Sequence, residues 1–151
     1  MTGQLLGIAV RAKSRGEMTE LGSIEISTEN GLAGDFRGKP CARQVTVLSI
    51  ESWKQACKVV EEDLPWTTRR ANLLVSGLEL KDTAGSILQI GSVQLKVTGE
   101  TDPCGRMNEY FPCLMQALVP DWRGGVCCRV VTGGQIQIQE EVILRNAGSL
   151  V

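Results

Sequence analysis

Histidine is missing from all 151 residues of the sequence. This side chain is the commonest general base near neutral pH and the commonest protein ligand of zinc and copper. Its absence excludes Ser-His-Asp and Cys-His catalysis, and every histidine-containing metal site, within the chain. Long apolar runs are missing too. No segment approaches the roughly 18–20 apolar residues that a membrane-spanning helix needs.

The sequence also lacks an excess of charge of either sign. Sixteen basic residues oppose seventeen acidic ones, which leaves a formal net charge of -1. The bulk charge therefore predicts neither a nucleic acid nor an anionic membrane as a partner. The N-terminus, Met1–Val10, has no basic region and only a short apolar stretch, so no signal peptide is predicted and we expect a cytoplasmic protein.

Nothing in the chain resembles a linker or a repeat, and its length suits one domain, which we expect to span residues 1–151. Apolar and polar residues alternate along most of it, which is the pattern of half-buried strands. The predicted strands are Gln4–Val10, Ser23–Ile26, Arg43–Ser49, Asn72–Val75, Ile87–Ile90, Val93–Thr98, Val126–Val131, Gln135–Gln139 and Glu141–Arg145.

Two glycine-containing turns and two helical stretches complete the expected fold. Gly91-Ser92 and Gly133-Gly134 are each predicted to close a hairpin between the strands that flank them. Apolar residues at helical spacing predict a helix over about 50–62, with Ser49 as its N-cap, and a second helix over Cys113–Val119. The whole pattern predicts a mainly β fold: a closed or nearly closed barrel of about seven or eight strands with two or three short helices.

Six cysteines are present, and no Cys-x-x-Cys pair occurs among them. In a cytoplasmic protein we expect thiols rather than disulfides. Cys57 lies on the apolar stripe of the first helix, and Cys128 faces the same side of its strand as the apolar Val126 and Val130. Both are therefore predicted core residues. Cys127 points to the opposite face, where it either fills space or borders a pocket. Cys41 is the second candidate for a reactive thiol, and Cys113 has no visible partner.

Cys104 is the first candidate because of its local sequence. Asp102 is a good helix cap and Pro103 suits the first helical position, so Cys104 is predicted in a first helical turn. Unpaired backbone N–H groups there favour an anion, and Arg106 would add positive charge. A thiolate attacks electrophiles and binds soft metals. The alternative is an ordinary turn around a buried small residue.

Two further stretches carry guanidinium groups that suit an anion. Arg69 and Arg70 stand at the entry to a predicted strand, and the planar fork of arginine can donate two hydrogen bonds to one phosphate or carboxylate. A solvated basic turn is the alternative there. Arg123 precedes Gly124-Gly125, which is compatible with an anion-binding nest of backbone N–H groups and equally with a plain turn.

In order and spacing, a set of motifs resembles the MOSC domain, the C-terminal module of molybdenum cofactor sulfurases that also occurs as small stand-alone proteins. The set spans about residues 31–142, most of the chain. Its members are Gly31-Leu32-Ala33-Gly34-Asp35, Arg43-Gln44-Val45, Arg70 to Leu78, Ile90-Gly91, Thr98-Gly99-Glu100 with Pro103-Cys104, Arg123-Gly124-Gly125-Val126, and Gly133-Gly134.

This resemblance implies a β-barrel-like fold and one functional cysteine, which maps onto Cys104. In the family that cysteine is proposed to carry sulfur as a persulfide or to ligate the molybdenum of a pterin cofactor, molybdopterin. Arg43, Arg70 and Asn72 match cofactor-pocket or framework positions. Many relatives have a histidine shortly after the Gly-Asp pair, where this chain has Arg37, and this difference concerns the chemistry of the pocket.

Three functions stay open at this point. The first is a molybdenum-pterin binding domain that supports N-reduction with an electron-transfer protein; its metal ligand is Cys104 and its cofactor-binding residues are Arg43, Arg70, Asn72, Arg106 and Arg123. The second is a sulfur carrier, served by a cysteine desulfurase, that forms a persulfide on Cys104. The third is a non-catalytic binding domain in which Cys104 is structural. The sequence does not specify an oligomeric state.

Overall fold

The structure is a computed structural model that describes residues 1–146. The last five residues of the predicted domain, 147–151, lie outside this range. The strands are β1 (Thr2–Val10), β2 (Thr19–Leu21), β3 (Ser23–Ser27), β4 (Gly31–Leu32), β5 (Val45–Ser49), β6 (Leu73–Ser76), β7 (Ile87–Ile90), β8 (Val93–Glu100), β9 (Val126–Thr132), β10 (Gly134–Gln137) and β11 (Glu141–Arg145). The helices are α1 (Ile50–Val60), α2 (Met107–Tyr110) and α3 (Leu114–Leu118), with 3-10 turns at Trp66–Arg69 and Pro120–Trp122.

Seven of these strands close into a barrel in the order β11-β7-β8-β9-β5-β6-β1, and pairing of β1 with β11 completes the closure. An extra strand, β2, pairs with β1, and β10, β3 and β4 form a small second sheet. The barrel pairings are antiparallel except for β5 with β6, which α1 connects as a crossover. The predicted mainly β, closed barrel with short helices is confirmed.

The barrel interior is filled by one face of each strand. In β8, for example, Val93, Leu95 and Val97 are fully buried while Lys96 is exposed. A second apolar cluster lies outside the barrel wall, where Trp53 of α1 and residues of α3 pack against Leu48 of β5. This outer cluster explains why β5 is buried on both faces although its sequence alternates.

The N-terminal cap of α1 and the first predicted hairpin are confirmed. The Ser49 hydroxyl accepts a hydrogen bond from the Ser52 N–H at 3.3 Å. Ile90 and Val93 pair directly across the turn, and Gly91 has a φ of 58°, a conformation that glycine adopts without steric cost. In residues 1–146, no helix is both long enough and apolar enough to cross a membrane.

The second predicted hairpin is wrong. The chain does turn at Gly133, but β10 pairs with β3 of the second sheet rather than with β9. Both edges of β9 are already occupied, by β5 on one side and β8 on the other. Because a strand has only two hydrogen-bonding edges, the strand that follows has to pair elsewhere.

Candidate functional site

A cavity lies where five separated parts of the chain come together. These are the segment after β1, the loop after β4, the start of β5, the residues before β6, and the segment between β8 and α2. Its volume is about 730 Å³ with the open mouth included. The lining residues are Arg11, Arg15, Met18, Asp35, Arg37, Arg43, Thr46, Arg69, Arg70, Asn72, Cys104, Arg106, Met107 and Tyr110.

Positive charge dominates this lining. Seven of the ten arginines in the sequence lie here, and Asp35 is the only carboxylate among the described residues of the lining. The near-neutral bulk composition hides this concentration, because acidic residues elsewhere balance it. The cavity is therefore suited to an anion, although the net charge of the chain predicts none.

The seven arginines lie at three depths. Arg69 is buried, and Arg11 and Arg70 are half-buried. The other four are exposed at the mouth: Arg15, Arg37, Arg43 and Arg106. The pKa of Arg11 is lowered from its usual value, mainly by burial and further by the positive charges of Arg70 and Arg37. An anion bound among these groups would relieve their mutual repulsion.

Asp35 organises the wall on the β1 side. Its carboxylate accepts hydrogen bonds from the backbone N–H of Arg11 at 3.2 Å and of Arg37 at 3.3 Å. The Phe36 N–H donates to the Arg11 carbonyl at 2.7 Å. The Gly-Asp motif thus ties the loop after β4 to the end of β1, which brings Arg11 and Arg37 to the same cavity.

Asn72 is a framework residue of the cavity floor. Its side-chain oxygen accepts from the Thr46 N–H at 3.0 Å, and its amide nitrogen donates to the Ala9 carbonyl at 3.2 Å. One buried amide therefore joins β1, β5 and the residue before β6. The adjacent Arg70 has a φ of 67° and donates from Nη2 to the Gly16 carbonyl, which ties it to the segment after β1.

Cys104 is exposed and lines the cavity, but it does not lie in a helical turn. The helix α2 begins only at Met107, whose N–H donates to the Cys104 carbonyl at 3.0 Å. The prediction that Asp102 caps a helix is wrong: β8 runs to Glu100, the Thr101 N–H bonds to the Gly125 carbonyl at 2.9 Å, and the position before α2 is Arg106. The alternative of a buried residue in a turn is also wrong, since the turn exists but the thiol is exposed.

The buried Arg69 holds the Cys104 segment at both ends. Its Nη2 donates to the Thr101 carbonyl at 3.0 Å, and its Nη1 lies 3.7 Å from the Met107 sulfur. Its Nε donates to the Gly124 carbonyl at 3.0 Å. Burial, and then the charge of Arg43, lower the pKa of Arg69 to about 10, while negative charge on Cys104 would raise it. Arg69 therefore stays a cation at neutral pH beside the thiol.

Gly124 is required by this contact. A Cβ at this position would lie 2.8 Å from the Thr101 carbonyl oxygen and 3.0 Å from Arg69 Nη2. Gly124, in the pair that the sequence leaves open between an anion nest and a plain turn, makes room for an internal guanidinium. Gly125 has a separate cause: its φ is 95°, and a Cβ there would overlap the Val47 carbonyl oxygen.

Arg123 is not brought to the cavity. Its Nη1 donates to the Ala117 carbonyl at 3.1 Å, near the C-terminal end of α3. Its Nε is buried without a hydrogen-bond partner among the described residues. We therefore leave Arg123 out of the binding proposal below, whereas Arg43, Arg70, Asn72 and Arg106 all line one cavity with Cys104.

The other cysteines lie outside this cavity, and none of the six forms a disulfide. Cys57 and Cys128 are buried, as predicted, and burial raises the pKa of each thiol. Cys127 fills space, with its sulfur 3.3 Å from the Thr101 hydroxyl. Cys41 and Cys113 are exposed. Cys104 is thus the one cysteine among the described residues that lines this cavity with the arginines.

The side chains of residues 1–146 include no group of three or more Cys, Asp or Glu that could hold a metal ion. Cys104 can supply one soft ligand, but no group of such side chains in the described part of the chain could complete a coordination shell with it. A metal at this site would have to arrive within a complex that brings its own ligands.

The MOSC domain model matches residues 30–143, which confirms the resemblance found in the motifs. YuaD from Bacillus subtilis has a TM-score of 0.83 and 20% identity over 97% of both chains. YiiM from Geobacillus stearothermophilus has a TM-score of 0.76 and 15% identity over 98% of this chain and 81% of its own. YiiM from Escherichia coli has a TM-score of 0.71 and 16% identity, covering 97% and 74%. These likenesses show the fold. The comparison with curated proteins finds no match to the sequence.

Proposed function

The chain belongs to the MOSC domain family, and on that premise we propose that it binds a molybdenum-pterin cofactor in the arginine-lined cavity, with the Cys104 thiolate as the protein ligand of the metal. The family is associated with this cofactor. The observation that carries the proposal is that Arg11, Arg43, Arg70 and Arg106 line a single cavity with one exposed thiol.

The residues present fit such a group in two ways. Molybdopterin carries a phosphate, and guanidinium groups pair with phosphate through two parallel hydrogen bonds. Its dithiolene sulfurs bind the metal, so the protein needs to add only one soft ligand. That requirement matches Cys104, which belongs to no group of three or more potential metal ligands among the described residues.

Each residue has a distinct task in this proposal. The half-buried Arg11 and Arg70 hold the phosphate, and Arg43 and Arg106 neutralise charge at the mouth beside Cys104. Asn72 keeps the floor rigid, and Arg69 positions the Cys104 segment. When bound, the cofactor would supply a redox-active metal suited to N-reduction, with electrons from a second protein.

Inorganic phosphate is expected to stabilise the protein if the cavity is an anion site. At ten times its dissociation constant, a ligand that binds only the folded state should raise the melting temperature of a chain of this size by about 3–6 °C. The comparison is with chloride at equal ionic strength and pH, followed by differential scanning calorimetry.

The matched variants are Arg70→Gln, inside the cavity, and Arg129→Gln, an exposed residue of β9 outside it. The phosphate-induced shift should fall by at least half in the first and stay unchanged in the second. Equal melting temperatures of the parent in phosphate and in chloride would contradict the anion site.

A sulfur carrier is the second candidate, and the exposure of the Cys104 thiol favours it. A thiolate can accept sulfane sulfur from the persulfide of a cysteine desulfurase, which leaves as its own thiolate. After incubation with a desulfurase and cysteine, the intact mass should rise by about 32 Da, the mass of one sulfur atom, and return with dithiothreitol. The gain should be absent in Cys104→Ala and present in Cys113→Ala; no gain in the parent removes this candidate.

A further inference from the structure

The mouth of the cavity carries more exposed positive charge than the cofactor proposal uses. Arg15 and Arg37 line the cavity and are exposed, and neither has been given a cofactor-binding task. Within residues 1–146, neither guanidinium donates a hydrogen bond or forms an ion pair; the ion pair found there joins Lys81 to Asp121. Both cations are available to a charge brought by another molecule.

Two large aromatic side chains are exposed beside these arginines. Phe36 is 47% exposed and Tyr110 is 43% exposed. The Phe36 backbone is held by the bond of its N–H to the Arg11 carbonyl, so its ring is presented from an ordered loop. Arginine and aromatic residues are the side chains enriched at the centres of protein interfaces.

We propose that this outer rim, defined as Arg15, Phe36, Arg37 and Tyr110, docks the acidic surface of a second protein that is brought to the Cys104 site. The inference rests on the proposed function only in supposing that a second protein serves that site. The charge and the exposure of the rim are properties of the fold itself.

A protein surface fits the rim better than a small anion does. Phe36 does not line the cavity but faces the neighbouring groove with Lys39, so a ligand inside the cavity would not cover it. The rim also extends from the segment after β1 to α2. Beyond Tyr110, an adjoining groove includes the acidic side chain of Glu17, so the rim ends there. A partner with clustered carboxylates would be attracted by the arginines and would cover the ring of Phe36.

The test uses a fluorescent 16-residue peptide that repeats Glu-Glu-Leu-Glu, and its glutamine analogue, as probes of the surface. Binding to the full chain is followed by anisotropy at low ionic strength. The variant Arg15→Glu/Arg37→Glu reverses two rim charges. Its matched control, Lys96→Glu/Arg129→Glu, reverses two exposed charges that pair across β8 and β9 on the barrel wall.

The parent should bind the glutamate peptide and not its analogue, and the rim variant should weaken binding by at least about tenfold. Phe36→Ser should weaken it by about threefold, and the wall control should change it by less than about twofold. Binding should persist in saturating phosphate at matched ionic strength, because the half-buried arginines and the rim lie at different depths.

Three results overturn the proposal: equal weakening by the rim and wall variants, equal binding of the two peptides, or complete displacement of the peptide by phosphate. The last result would make the rim part of a small-anion site. Phe36→Ser, whose side chain lies outside the cavity, should retain the phosphate-induced rise in melting temperature, so a failure of docking stays distinguishable from a failure of the cofactor proposal.

Discussion

Replacement of Arg69 by methionine is expected to lower the free energy of unfolding by about 2–4 kcal/mol, because two buried carbonyls lose a charged donor. These carbonyls belong to Thr101 and Gly124, and methionine fills much of the volume without replacing either bond. The Cys104 segment, which Arg69 holds at both ends, should become locally mobile. Backbone amides of residues 101–107 should therefore exchange hydrogen faster than in the parent.

Urea unfolding and hydrogen-exchange mass spectrometry measure these two effects. Arg123→Met is the matched control, because its guanidinium donates one side-chain bond, to the Ala117 carbonyl. This variant should lower the free energy of unfolding by about 1 kcal/mol and leave the amide hydrogen exchange of residues 101–107 unchanged. Unfolding energies of Arg69→Met within about 0.5 kcal/mol of the parent, with unchanged exchange in the segment, would contradict the role of Arg69.

The contact between Arg69 and Gly124 can also be disturbed by a substitution at the glycine. Gly124→Ala places a Cβ against the Thr101 carbonyl and Arg69 Nη2, whereas a Cβ at Gly105 meets nothing within 4 Å. The first variant should reproduce the faster exchange of the Arg69 variant, and Gly105→Ala should not. Agreement between Gly124→Ala and Arg69→Met would locate the effect in the contact rather than in the charge alone.

The barrel could be predicted from sequence because its signals are local. Alternation along Val93–Glu100, the cap at Ser49 and the turn at Gly91 each depend on a few neighbouring residues. The failure at Gly133 has the opposite cause. Whether two successive strands pair depends on which edges are already occupied, and the alternation of a strand carries no information about its neighbours.

The very short strands β2 and β4 could not be predicted either, since two or three residues are too few to show an alternation. The helix expected at Asp102 was wrong for a related reason. Local preference favours a cap there, but β8 continues to Glu100, and the Thr101 N–H then bonds to the Gly125 carbonyl, which is distant in sequence. Long-range pairing outweighed the local preference.

Part of the site followed from its motifs and part could not. The resemblance to the family pointed to Cys104, Arg43, Arg70 and Asn72, and all four line the cavity. No sequence motif links these four residues to the cavity arginines Arg11, Arg15 and Arg37. Arg11 and Arg37 converge because the Asp35 carboxylate accepts hydrogen bonds from the backbone N–H groups of both, which no periodicity reveals.

The largest expected change is the loss of metal on replacing Cys104 by alanine. A molybdenum-pterin complex in the cavity would keep its contacts with the arginines but lose the only ligand that this chain adds to the metal. Loss of a ligand or its supporting groups lowers metal affinity by about ten- to a hundredfold or more. Because the thiol is exposed, the variant should fold as the parent does.

Elemental analysis of protein purified from a host that makes molybdenum cofactor measures this directly, beside Cys104→Ala and the exposed-thiol control Cys113→Ala. The account predicts about one molybdenum per chain in the parent and the control, and less than about a tenth of that in Cys104→Ala. Absence of molybdenum from the parent, or equal amounts in the parent and Cys104→Ala, would contradict it.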